Sequence, residues 1–167
     1  YSRVAVTELN RISSHLVWWG AYLLDLGAFT PIMYAFDDRE IILDILQAVT
    51  GSRLTYSYFT FGGVYADVPE DFPKRCLDFV TRMRERLPMY RDLVTDNVIL
   101  RGRCEGIGVL PVDMARRYGA TGPMLRGSGV ATDTRKAEPY GVYDRISFRI
   151  PCYTEGDAMA RYMVRLD

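Results

Sequence analysis

Lysine is nearly absent from this chain of 167 residues. Of its 21 basic residues only Lys74 and Lys136 are lysine, and the other 19 are arginine. Genomic base composition can skew the ratio this way, and so can planar, bidentate pairing with carboxylates inside a core or at an interface. Histidine is scarcer still. His15 stands alone, so any Ser/His/Asp or Cys/His mechanism within the chain would have to use it. A zinc site would need it together with Cys76, Cys104 and Cys152, which form no CxxC pair. Three scattered cysteines make no disulfide framework and read as small apolar groups in a reducing compartment. Net charge is also missing, 21 acids balancing 21 bases. Counterion release needs a basic excess, so a nucleic-acid partner is excluded. The longest weakly charged run, Leu16 to Phe36, carries only Asp25. Thr30-Pro31 breaks it, which argues against a membrane span, and no targeting segment is visible.

What is present is a globular composition, 49% hydrophobic and 13% aromatic, of a size that fits one domain. Apolar spacing predicts two helices, roughly Val4–Gly27 and Pro31–Thr50. Val4, Leu9, Ile12 and Leu16 line the first, Thr30 is the expected N-cap of the second, and Gly51 stops it. Residues 52–70 read as loop or short extended structure. A third helix over Asp71–Thr95 is expected to face the core through Leu77, Val80, Met83, Leu87, Tyr90 and Leu93, with Pro88 as a potential kink. Short pieces follow at Ile99–Gly108 and Val112–Tyr118, then a glycine-rich segment from Gly119 to Tyr143. Arg145–Ile150 alternates as a strand would, and Gly156-Asp157 leads into a last helix. The expected fold class is mainly α with a smaller α+β portion: one domain, helical bundle over 1–97 and the α+β portion over 98–167. Both ends fall inside helical patterns, so the chain reads as the middle of a longer protein.

Asp25 is the outstanding candidate for chemistry. Val17, Ala21 and Asp25 share one helical face that narrows to alanine and ends in a carboxylate, leaving room beside the helix. As a buried acid it would need a partner. Pairing with an arginine such as Arg53 or Arg126 is the plain reading, and proton transfer in a cleft is the functional one. Gly62-Gly63 and Arg126-Gly127-Ser128-Gly129 lack phosphate-loop spacing and suit tight turns. His15, on an apolar stretch, suits a core histidine with a satisfied hydrogen bond.

A series of short motifs runs through the whole chain: Glu8-Leu9-Asn10-Arg11-Ile12 with His15-Leu16, Asp25-Leu26-Gly27-Ala28 with Thr30-Pro31, Arg39-Glu40, Thr50-Gly51 with Arg53, Gly62-Gly63-Val64 with Asp67-Val68-Pro69, Gly122-Pro123 with Leu125 to Gly129, Asp133 with Arg135-Lys136, Pro139-Tyr140, and Gly156-Asp157 with Arg161-Tyr162. In order and spacing the series resembles the 49 kDa subunit, or D-subunit, of NADH:quinone oxidoreductase (respiratory complex I), a family related to the large subunit of nickel-iron hydrogenases.

The resemblance implies a hydrogenase-large-subunit-like helical core. It also implies a peripheral-arm subunit on the cytoplasmic side of the inner membrane, with subunits B and C and the membrane-arm subunits as partners. With the first of these it would form the cavity in which quinone is reduced by the terminal iron–sulfur cluster. Asp25 matches the aspartate that pairs with a headgroup-binding histidine located before Tyr1, and Val17 and Ala21 match cavity-lining positions. Arg53 and Thr55 match positions near that cluster, Thr55 standing where many members carry a histidine. Threonine does not titrate near neutrality, so the expected cluster potential depends little on pH, as with enzymes that use menaquinone. Quinone is then the substrate, the cluster belongs to the adjacent subunit, no metal or cofactor is expected on this chain itself, and the isolated piece should be inactive. Two other readings stay open: the equivalent subunit of a membrane-bound hydrogenase or ferredoxin-linked complex, and a helical scaffold without a catalytic role.

Overall fold

The computed structural model describes residues 1–167. They divide into two compact units, Tyr1–Thr95 and Asp96–Asp167.

The first unit is built on an αα-hairpin, α1 (Ser2–Asp25) and α2 (Thr30–Thr50). Buried positions on α1 fall at Val6, Leu9, Ser13, Leu16, Gly20 and Leu23, and on α2 at Pro31, Ala35, Asp38, Ile42, Ile45 and Val49. Both sets alternate spacings of three and four, the pattern that keeps one face of each helix on its neighbour. The helices approach closely at Gly20, where a Cβ would stand 2.8 Å from Cγ1 of Ile32. Thr30 is the first helical residue rather than the cap; Phe29 holds the N-cap position without a side-chain hydrogen bond, and Pro31 occupies the first turn. Gly51, at φ 79°, closes α2 with its N–H donating to the carbonyl of Gln47. A two-residue antiparallel pair, β1 (Phe59–Thr60) and β2 (Gly63–Val64), follows with Phe59 opposite Val64.

The third helix, α3 (Phe72–Tyr90), faces α2 through polar as well as apolar groups. Asp38 is fully buried. Its Oδ1 accepts from Nε of Arg82 at 2.7 Å and its Oδ2 from the Tyr90 hydroxyl, while Nε of Arg86 lies 3.5 Å from Oδ1. The neighbouring Asp37 receives one Nη2 from each arginine, both at 2.6 Å. The Tyr90 ring stacks on Trp19 of α1 at 4.5 Å, so all three helices meet there. Burial first, then the hydrogen bond to Asp38, pushes the Tyr90 hydroxyl far above its ordinary pKa, and it stays a proton donor.

This polar anchor sets the face of α3 and displaces the one expected from apolar spacing. Phe72, Phe79 and Tyr90 are buried, whereas Leu77 is 67% and Val80 38% exposed. Residues 79, 82, 86 and 90 form the inner stripe, with arginine stems serving as its apolar surface. Pro88 offers no N–H to the helical ladder, and three residues later the helix widens into a π-helical turn, Arg91–Thr95.

The second unit contains α4 (Val98–Cys104), α5 (Val112–Arg117), α6 (Gly122–Gly127), α7 (Thr134–Ala137), a 3-10 turn at Tyr143–Arg145, and α8 (Ala158–Leu166). Asp157 caps α8 through Ala160 N at 2.7 Å and also accepts Gly106 N at 2.8 Å. The segment after α6 is tied down by Gly156 N donating to Gly127 O at 2.8 Å and Tyr153 N donating to Arg126 O at 2.9 Å. The expected α+β character is absent from this unit: Arg145–Ile150 contains no strand. Its alternation comes from half-buried Phe148 and Ile150. Arg135 and Lys136 lie over the Phe148 ring at 4.4 and 4.9 Å, and no second extended segment pairs with the backbone.

Asp133 accepts from the backbone N, Nε and Nη2 of Arg135 at 3.0, 2.9 and 2.6 Å, with Nη1 of Arg126 at 3.7 Å. The Arg135 hydrogen bonds hold its carboxyl below the ordinary 3.8. A carboxyl depressed by folding adds stability above its unfolded pKa and loses it as pH falls through the folded value.

Two outcomes are expected for the full-length protein. In denaturant unfolding, Asp38→Ala takes the buried acceptor from Nε of Arg82 and from the Tyr90 hydroxyl and should cost about 3 kcal/mol, against about 1 kcal/mol for Tyr90→Phe. Acidification below pH 3.8 should lower the unfolding midpoint, and Asp133→Asn should flatten that part of the curve.

Candidate functional site

Val17, Ala21 and Asp25 lie one turn apart on α1. Val17 is half-buried; Ala21 and Asp25 are exposed. Asp25 is therefore not the buried acid expected from the sequence. It is the last residue of α1, where the connection to α2 begins, and its side chain is exposed. The suggested partners are engaged elsewhere: Arg53 by Glu40 and Asp44, and Arg126, in the second unit, by Asp133. The Asp25 carboxylate makes no hydrogen bond or ion pair within the chain. It also sits at the negative end of the α1 dipole, which disfavours an anion. Local structure gives this acid no support.

Three of the predicted residues do come together. Val17, Arg53 and Thr55 line a cavity of about 180 Å³ between α1, α2 and the segment after Gly51. Ala21 and Asp25 continue the Val17 face away from it and are not part of its wall. The cavity is amphipathic: Asn10, Ser13 and Ser14 supply an amide and hydroxyls from α1, Leu43 and Leu46 apolar surface from α2, and Leu54 and Tyr56 close the loop side. Arg39 of α2 completes the lining. These residues do not stand out in the sequence, although one signal points to them. Spacings of three and four, run backward from Asp25 through Ala21 and Val17, arrive at Ser14 and Asn10.

Arg53 reaches back from the loop to α2, where Glu40 and Asp44 both bind it; the Asp44 hydrogen bond is the main cause of its raised pKa. Thr55 has φ 53°, the only non-glycine residue in the left-handed region. For a β-branched side chain this is a strained conformation, of a kind that concentrates at functional sites. Its hydroxyl donates to the carbonyl of Leu54 at 2.8 Å. His15, on the same helix as Val17, is half-buried with Nδ1 2.9 Å from the Arg11 carbonyl oxygen, a locally satisfied ring. Cys76, Cys104 and Cys152 are separate free thiols, and no three His, Cys, Asp or Glu side chains converge. No helix is long and apolar enough to cross a membrane.

Known proteins give this geometry a context. The family model described as the respiratory-chain NADH dehydrogenase 49 Kd subunit matches residues 25–167. The whole chain is 64% identical to NADH-quinone oxidoreductase D-subunit 2 of Opitutus terrae, of which it covers 42%. It is 57% identical, again over its whole length, to the D-subunit of the Desulfotalea psychrophila enzyme and covers 45% of that protein. Over 166 residues, 99% of the chain, it is 49% identical to the D-subunit from Geobacillus thermodenitrificans, covering 45%. The chain thus spans less than half the length of these relatives, and it belongs to the family of the respiratory-chain NADH dehydrogenase 49 kDa subunit.

Proposed function

We propose that the chain is the quinone-site portion of an NADH:quinone oxidoreductase, the face of α1 carrying Val17, Ala21 and Asp25 forming one wall of the chamber in which quinone is reduced. The observation that carries this reading is Asp25: a carboxylate on an uncovered helix face, unpaired within the chain and placed where the helix dipole opposes it. An anion so placed is available to a group supplied from outside residues 1–167. A neutral or cationic imidazole is the fitting partner, because the carboxylate orients the ring and favours its protonated form.

Quinone reduction to quinol takes two electrons and two protons. The electrons would come from an iron–sulfur cluster held by the adjacent subunit. Asp25 would act on the protons by holding the donor imidazole in place, a positioning role. Small, apolar Ala21 and Val17 leave room beside α1 for a flat ring. The helical core is in keeping with a hydrogenase-large-subunit-like fold. The names of the relatives favour a quinone acceptor over a hydrogenase. In this reading the whole protein sits peripherally on the cytoplasmic side of the inner membrane against subunits B and C and the membrane arm, and takes part in proton translocation. Residues 1–167 alone have no activity, since electron donor and headgroup ligands lie elsewhere.

Thr55 carries the finer part of the proposal. With no titratable side chain there, reduction of the neighbouring cluster is not coupled to proton uptake at this position. That suits a low-potential acceptor such as menaquinone.

Two experiments test this. In the assembled complex, Asp25→Asn should lower quinone reductase activity by roughly 10–100-fold, the cost typical of losing a partner that orients a working imidazole, while NADH oxidation with ferricyanide continues. Equal loss of both activities counts against the reading. Redox titration of the terminal cluster at several pH values should give a nearly flat potential through neutrality, and Thr55→His should introduce a slope; a steep slope in the wild-type complex overturns the role given to Thr55.

A further inference from the structure

We propose that Gly20 is a positioning residue for the quinone site: its bare backbone lets α1 lie against Ile32 of α2, and that approach fixes where Asp25 stands. The inference rests on the reading of Asp25 as part of the chamber wall. Gly20 is poorly suited to its own helix. A glycine inside a helix is destabilising relative to alanine, because it has more backbone freedom to lose on folding. Gly20 lies well within α1, buried and with no left-handed φ, so neither a turn nor a cap calls for glycine there. Space does. A Cβ on Gly20 would stand 2.8 Å from Cγ1, 3.0 Å from Cα and 3.2 Å from Cβ of Ile32.

A new rotamer of Ile32 would move Cγ1 but leave Cα and Cβ in place, so making room for a side chain at residue 20 requires the helices to part. Carbon atoms in ordinary contact are about 3.5–4.0 Å apart, which makes the displacement roughly 0.5–1 Å. It falls on α1. Further along, α2 is held by its buried Asp38, which binds Arg82 and Tyr90 of α3, and Pro31 stiffens the first turn beside Ile32. At the level of Gly20, α1 meets α3 through the stacking of Trp19 on Tyr90. A stacked pair of rings tolerates an offset that a buried ion pair does not.

Asp25 follows Gly20 by about one and a half turns of unbroken helix and moves with it. The turn beyond it gives no slack. Leu26 N donates to Tyr22 O at 3.2 Å, Gly27 N to Leu24 O at 2.9 Å and Ala28 N to Leu23 O at 2.8 Å, so the connection leading to Ile32 is tied to the end of α1. Asp25 is thus enclosed between the Gly20–Ile32 approach and a hydrogen-bonded turn. A carboxylate that orients an imidazole does so through the length and direction of a hydrogen bond, and both are sensitive to a displacement of this size.

The test uses the assembled complex and a short-chain quinone, with rates referred to the NADH–ferricyanide activity of the same sample so that loss of assembly cancels. Gly20→Ala should lower kcat/KM for quinone by about tenfold, since a 1 Å misplacement can cost about a hundredfold. In an Asp25→Asn background the same change should cost less than about twofold, because the group it positions is already gone. An equal loss in both backgrounds overturns the proposal. So does a purely structural outcome, in which less complex assembles but kcat/KM per assembled enzyme is unchanged. Full quinone reduction by Asp25→Asn alone removes the wall reading and this inference with it, whereas an impaired Asp25→Asn beside an intact Gly20→Ala removes this inference only. Should Gly20→Ala fail to accumulate, Ile32→Ala is compared with Gly20→Ala/Ile32→Ala. Truncating Ile32 relieves the nearest clash and leaves those with its Cα and Cβ, so the double variant should fall about threefold below Ile32→Ala; equal values overturn the proposal.

Discussion

A carboxylate with no access to water governs the first unit. Asp38 loses its hydration entirely on folding, a penalty of several kcal/mol unless the surroundings replace it. Replacement requires Arg82 and Tyr90 at bonding distance and Arg86 close behind, and all three are on α3. The requirement fixes the rotation of α3, brings the Tyr90 ring onto Trp19 of α1, and fills the corner where three helices meet. Hydrophobic contact alone would admit several rotations of a helix as arginine-rich as α3. The buried charge admits one.

That constraint explains where the sequence could be read and where it misled. Both hairpin helices were legible because their packing is apolar and periodic, and a glycine with a left-handed backbone marks the end of the second. The face of α3 was misread because its inner stripe is made largely of arginine and tyrosine, which apolar spacing does not count. Arg145–Ile150 shows a related failure. An alternating pattern records which side chains are half-buried, but a strand also needs a backbone partner, and Phe148 is held by cations instead.

The candidate site was legible in part. Val17, Ala21 and Asp25 share one face of α1, as their spacing implies, while Arg53 and Thr55, named only through the family resemblance, line a cavity with Val17. Burial was not legible. Whether an acid near the middle of an apolar run is covered depends on where the run is broken, and here the break after Asp25 leaves it at the helix end. The arginine excess also acquires a structural meaning: nearly every arginine of the first unit's interior bridges two acids or reaches across helices, geometry that a lysine ammonium does not reproduce.

Thr55 bears on how the cavity responds to being covered. A threonine in the left-handed region carries on the order of 1–3 kcal/mol of conformational cost, borne by residues that also form the loop side of the cavity. Histidine and asparagine adopt this backbone far more readily than threonine. The loop is therefore the wall with the least to lose by moving, while α1 and α2 are braced by their own packing. Anything that enters the cavity would meet two braced helices and one strained loop, residues 53 to 56.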